Sequence, residues 1–258
     1  MSTRSPLVQS VERAISILKA FTRTEPELGV GDISRRVGLP KSTVFRLLAT
    51  LEDGKLISKN PETGLYRLGI ELVALANNAM VFTDLQRVVR PYLRQLASEL
   101  NETVSLSALD DSDVVNLELF VSPERLIMRV GWIGRRMPIH ATSSGRAIIA
   151  FKSEEEQNKI LLEPLEKFTS RTITTTDALR AELSDVRKNG YAIAIEEMEE
   201  GLNAVAMPIW NHEGQVVACL SVSGPSNRLT KERIYEIIPT ILEKSKKLSE
   251  ELGYRSEK

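Results

Sequence analysis

Apolar residues open the chain at helical spacing. Val11, Ala14, Ile15, Leu18 and Phe21 share one face, Ser10 suits the N-cap, and Glu25-Pro26 marks a stop. A second helix is expected over 30–37 with Ile33 and Val37 inward, followed by the tight turn Gly38-Leu39-Pro40. A third carries Val44, Leu47, Leu48 and Leu51 on one face and ends near Asp53-Gly54, where Gly54 can adopt the left-handed C-terminal conformation. Two strand-like runs, 56–58 and 65–68, flank a turn at 60–64. The order is helix, helix, turn, helix, hairpin. Residues 70–80 form a further helix whose Ile70, Val73, Leu75 and Ala76 are too apolar for a free linker, and an amphipathic helix covers 85–100 with Pro91 inside it.

Beyond that point strands alternate with helices. Runs at 114–121 and 126–132 are β-rich, with Ser122-Pro123-Glu124 as the turn between them, and 137–140 is extended. Residues 142–151 read as a helix, Ser153 and Glu156 form a capping box, and Thr176 caps a helix running to Asn189. Strands follow at 191–195, 204–210 and 215–223, the last two joined by a turn at 212–214, and Thr230 caps a final helix bent at Pro239. The pattern predicts an α+β fold with an antiparallel sheet in its second half.

Composition narrows the function classes. The 258 residues are 42 % hydrophobic and 27 % charged, ordinary for a globular chain. One cysteine, Cys219, excludes an internal disulfide framework and a multi-cysteine zinc site, and fits a reducing cytoplasm. The N-terminal stretch has no apolar core of a signal peptide, and no run approaches a membrane span. Net charge is −1, yet residues 1–80 hold 11 basic against 8 acidic residues. This suits a DNA-binding head on a neutral body, though many cytosolic proteins show as much.

If the third helix buries its apolar face, Lys41, Ser42, Thr43, Arg46 and Thr50 are left outward. Arg46 can make a bidentate contact with guanine O6 and N7. Lys41 at the helix start suits phosphate, and Ser42 and Thr43 can donate to phosphates or base edges. Arg35 and Arg36 would lie near the DNA backbone, and Lys59 and Arg67 on the hairpin near the flanking groove. The alternative for each is a solvated surface, but the element order favours a helix-turn-helix.

In the second half, Thr142-Ser143-Ser144-Gly145-Arg146 opens a helix with hydroxyls and free N–H groups, an arrangement that attracts anions. On the strand at 215–223, Cys219, Ser221 and Ser223 share a face. These serines either line a polar site or bond neighbouring backbone. His140 is read as structural and His212 as a solvent-exposed turn residue. Without a third positioned group or a nucleophile elbow, His140 with Ser143 does not make a hydrolase. No metal or cofactor is expected. The cluster Glu196, Glu197, Glu199 and Glu200 reads as a solvated face or a pocket rim.

The runs SVERAISILKAF (10–21), VGLPKSTVFRLLATLEDGKLI (37–57), YRLG (66–69), IHATSSGRAIIA (139–150), EEGLNAVAMPI (199–209) and GQVVACLSVSGPSNRLT (214–230) strongly resemble the IclR family of bacterial regulators, in family order. The stretches 102–111, 134–142 and 171–179 are most similar to its branch controlling sugar-acid catabolism. The resemblance implies a winged helix over 7–69, a linker helix over 70–84 and a GAF-like effector domain over 85–254. It also implies dimers or dimers of dimers. The expected function is a regulator, read as a repressor, that binds a palindromic operator with an affinity controlled by a small organic-acid effector in the second domain; the alternative is a DNA-binding protein whose second domain only oligomerises. The family's effector pocket maps onto Ser143, Ser144, Ser221 and Ser223, and onto Ala194 and Ala204, where a keto-acid-binding member carries an acid and a cysteine. The loss of polarity at those two positions implies a larger or more apolar ligand.

Overall fold

The computed structural model describes residues 7–22, 24–75, 84–121, 133–161 and 164–255. They fall into two compact units, Met1–Thr83 and Asp84–Lys258. The expected strand at 126–132 and the turn at 122–124 lie outside the described residues.

The first unit is a three-helix core with a small sheet: α1 (Gln9–Ala20), β1 (Glu27–Leu28), α2 (Val30–Val37), α3 (Lys41–Asp53), β2 (Ile57–Lys59) and β3 (Tyr66–Leu68). The strands pair antiparallel in the order β1-β3-β2. Ile17, Phe21, Ile33, Val44, Leu48, Leu51, Ile57 and Tyr66 form its core.

Three local expectations are corrected. Helix α1 begins one residue before Ser10, after Val8 and without a side-chain cap, and it stops at Ala20, five residues short of Glu25. Its inward face is Ala14, Ile17, Leu18 and Phe21, so Val11 and Ile15 remain 54 % and 45 % exposed. Gly54 has φ −76°; Lys55, at φ +55°, carries the left-handed turn instead. Gly38 does adopt the left-handed conformation expected of the turn, at φ +65°. Residues 71–75 are helical, and Ile70, Val73 and Leu75 are exposed; Ala76 and the rest of the expected helix to residue 80 lie outside the described residues.

The second unit is built on a six-stranded antiparallel sheet in the order β6-β5-β4-β9-β8-β7. The strands are β4 (Thr103–Asp110), β5 (Asp113–Phe120), β6 (Arg136–Pro138), β7 (Ala192–Ile195), β8 (Leu202–Trp210) and β9 (Val216–Pro225). Strand alternation gives the sheet two unlike faces. One face presents Val104, Leu106, Val205, Met207, Leu220 and Val222, and the long helices Asp84–Leu100 and Lys231–Glu251 bury it. The other carries small and hydroxyl side chains: Ser105 and Ser107 on β4, Ala204 and Ala206 on β8, Cys219, Ser221 and Ser223 on β9. Helices Ser143–Ile149 and Thr176–Asn189 belong to the core on this side. The second of them is capped by Thr175, one residue earlier than expected, because its side chain accepts from Ala178 N. The capping box of Ser153 and Glu156 is present with both hydrogen bonds, and Thr230 caps the last helix.

Strands β4 and β9 form the seam of the sheet, with Ser105 directly opposite Ser221. At one end, Arg228 grips Glu102 through two hydrogen bonds of 2.9 and 2.8 Å.

Candidate functional site

Two places carry chemistry, one in each unit. In the first, α3 buries Val44, Leu48 and Leu51 and half-buries Leu47. Lys41, Ser42, Arg46 and Thr50 are thereby turned outward, while Thr43 is half-buried. Lys41 and Arg46 are exposed and make no ion pair among the described residues. Thr50 back-bonds its own helix, its Oγ1 donating to the carbonyl of Arg46 at 3.1 Å.

The remaining cations expected at the DNA are engaged within the fold. Arg35 pairs with Asp32 on α2. Arg36 pairs with Glu25 and donates to the carbonyl of Ala20 at 3.0 Å, closing the end of α1. On the hairpin, the ammonium of Lys59 sits 5.6 Å from the Tyr66 ring centre, and Arg67 Nε donates to Ser58 Oγ at 3.2 Å. Outside the expected set, Phe45 is a large apolar side chain 56 % exposed on α3.

The second place is a cavity on the small-residue face of the six-stranded sheet, holding about 530 Å³ with its mouth included. It exists because that face offers alanine and serine where the opposite face offers leucine and valine. Ser143, Ser144, Ala194, Ala204, Ser221 and Ser223 all line it, brought together from a helix start and three strands. Gly145 does not. A Cβ there would sit 2.3 Å from the carbonyl oxygen of Ile139, so the glycine serves close packing of its helix. Nor are all the first N–H groups of that helix free, since Gly145 N donates to Thr142 Oγ1 at 3.1 Å. With a helix of only seven residues, the hydroxyls are the larger part of what the site offers.

Several lining residues lie outside the expected set. Ser105, Asn116, Leu119, Met137, Ala141, Thr142, Met198 and Leu202 complete the wall. Ser105 and Ser221 share a hydrogen bond of 2.7 Å between their hydroxyls, and Ser107 donates to Asn116 Oδ1 at 2.7 Å. Just below, Cys219 is fully buried, and burial pushes its thiol up to about 12. No lysine or arginine lines the cavity among the described residues.

The acidic cluster is not simply a solvated face. Glu197 is buried and ion-paired with the buried Arg146, while Glu196 binds Gly201 N and Arg171 at the surface. His140 is buried, its Nε2 2.8 Å from the carbonyl of Glu166 and its ring beside Phe168. His212 is exposed. Among the described residues no group of His, Cys, Asp and Glu could hold a metal ion, and no helix is long and apolar enough to cross a membrane.

Two family models match the chain. The IclR helix-turn-helix domain covers residues 10–61, and the bacterial transcriptional regulator IclR C-terminal domain covers 77–250. The chain is 37 % identical to the HTH-type transcriptional regulator XynR of Escherichia coli strain K12, over 96 % of this chain and 99 % of that one. It is 36 % identical to the HTH-type transcriptional regulator KdgR of the same strain, over 96 % and 94 %. Among solved structures, an IclR homologue from Microbacterium hydrocarbonoxydans complexed with 4-hydroxybenzoate superposes with a TM-score of 0.82 at 25 % identity, covering 95 % of this chain and 99 % of its own.

Proposed function

This chain belongs to the IclR family of bacterial transcriptional regulators, and we propose that it represses transcription from a palindromic operator and that a small organic acid in the cavity sets its operator affinity. Its relatives are DNA-binding regulators, not enzymes. The observation that carries the effector reading is the cavity itself: hydroxyls and the Asn116 amide converge in an otherwise apolar wall, in a relative of a protein that binds 4-hydroxybenzoate. A polar cluster inside an apolar concavity is what a ligand with one anionic end requires.

In this reading residues 7–69 read DNA, 70–84 link, and 85–254 sense. Lys41, Ser42, Thr43, Arg46 and Thr50 face the major groove, with Arg35, Arg36, Lys59 and Arg67 beside the phosphates. The ligand's carboxylate takes hydroxyls of Ser143, Ser144, Ser221 and Ser223, and its apolar part packs on Ala194 and Ala204. The protein works in the cytoplasm as a dimer or a dimer of dimers. Exposed Ile70, Val73 and Leu75 support that assembly, because three large aliphatic side chains left close together in water are a liability that a second copy removes.

Fluorescence anisotropy with the DNA upstream of its own gene, with and without members of a panel of sugar acids, keto acids and aromatic acids, tests both halves. Tight binding that one acid weakens, with reciprocal stabilisation of the protein by that acid, is expected. Equal affinity for scrambled DNA overturns the operator half. Specific binding that no acid alters, with no thermal shift, leaves a second domain that only oligomerises.

A further inference from the structure

We infer that Phe45 is a base-reading residue that packs its ring on a thymine methyl group in the major groove. Single exposed aliphatic or aromatic residues are ordinary on a protein surface. This one stands apart through its neighbours. Phe45 is 56 % exposed in the first half of α3, between the exposed polar residues Ser42 and Arg46 and one turn from the exposed Lys41. The first half of a recognition helix is the part that meets base edges. One turn further on, at the spacing that shares a face, Ala49 is exposed as well. The outward side of α3 therefore carries an apolar step beside its cationic one.

The chemistry of the groove decides what such a step can recognise. Of the four bases only thymine projects a methyl group into the major groove, and an apolar side chain against it distinguishes thymine from cytosine without a hydrogen bond. Thr50 offers little polar competition, since its hydroxyl is committed to the carbonyl of Arg46. The ring lies outside the core of its own unit, so its removal leaves Val44, Leu48 and Leu51 in place. Arg46 and Phe45 then read different things in one half-site: hydrogen-bond acceptors of a purine and the methyl of a pyrimidine.

The inference rests on the operator-binding reading and is tested separately from it. The intact protein selects its preferred duplex from a random-sequence pool, and each thymine of one half-site is then replaced by deoxyuridine, which lacks only the methyl. Wild type should bind about fourfold more weakly at one position, equivalent to about 0.8 kcal/mol for one methyl group taken from water. Phe45→Ala should bind the thymine duplex more weakly, with unchanged thermal unfolding, and should no longer distinguish uracil from thymine there; Phe45→Leu should retain part of the difference. Specific binding by wild type that ignores every replacement overturns this inference alone, as does discrimination that survives in Phe45→Ala. A protein that selects no duplex overturns the operator reading and this inference with it.

Discussion

Arg146 donates twice to the carboxylate of Glu197, Nη1 to Oε2 at 2.9 Å and Nη2 to Oε1 at 2.7 Å, with side-chain exposures of 1 % and 10 %. Its Nη2 also donates to the carbonyl of Ile193 at 2.6 Å. The pair ties the helix that opens with Ser143 and Ser144 to the turn that carries Met198, two walls of one cavity. The carbonyl of Glu197 in turn accepts from Thr172 Oγ1 at 2.7 Å, so the turn is held from both sides.

Breaking this pair from one end should be costly. Arg146→Met leaves a buried carboxylate without its cation, and Glu197→Leu leaves a buried guanidinium; each should cost about 3–5 kcal/mol. The double substitution should cost much less than the sum, because neither charge remains. Urea unfolding of the four proteins measures the coupling; additive losses would show that the two residues act independently.

Gly145→Ala should destabilise the protein by at least about 1–3 kcal/mol, the range for overpacking a well-filled site. The new methyl would lie 2.3 Å from Ile139 O and 2.4 Å from Ile139 Cα, backbone that cannot swing away as a side chain can. Calorimetry should show a fall of about 2–4 °C in Tm per kcal/mol lost. An unchanged Tm would mean the helix start and the strand before it move apart freely.

Cys219 should be silent to alkylation by iodoacetamide at pH 8 until urea is added, because the native thiol is buried and stays protonated up to about 12. Its stability effect has a defined sign. The unfolded chain loses this proton near pH 9 while the folded one keeps it, so this contribution is complete below pH 9 and declines as pH rises towards about 12. Across that window wild type should lose up to about 1.4 kcal/mol per pH unit more than Cys219→Ala. Parallel curves would contradict it.

On DNA, Arg46→Ala should cost about 1–3 kcal/mol and relax the preference at one base pair of each half-site. Lys41→Ala should weaken all sequences alike and lower the salt slope by about one unit for each phosphate that the lysine neutralises. Anisotropy titrations at several salt concentrations separate the two. If Lys41→Ala alters base preference while Arg46→Ala does not, their roles are reversed.

The parts of the fold legible in the chain are those set by local periodicity. Val44, Leu48 and Leu51 recur every three or four residues, and α3 buries them. β1 is two residues long, too short for any period, and exists only because β3 pairs with it. Strand β4 shows the opposite case. Val104 and Leu106 alternate with Ser105 and Ser107 as plainly as Leu220 and Val222 alternate with Ser221 and Ser223. That alternation could have flagged Ser105 as a wall residue. What it does not display is that β4 and β9 lie side by side. The partnership of Arg146 with Glu197 is equally hidden, since residues 51 positions apart meet only after the sheet has formed. The pairing of Arg36 with Glu25 is hidden in the same way, because it forms only once the loop after α1 folds back against α2.

The seam between β4 and β9 has a kinetic consequence. Ser105 and Ser221 are 116 residues apart along the chain, yet their hydroxyls touch. Closing so long a loop costs entropy before any interaction at its mouth repays it, and chains rich in such pairings fold slowly. On the ribosome, β4 waits with one edge unpaired until β9 has been made. The first unit, complete by Thr83, can mature long before then. A newly made molecule therefore passes through an interval in which its first unit is finished and its second is not.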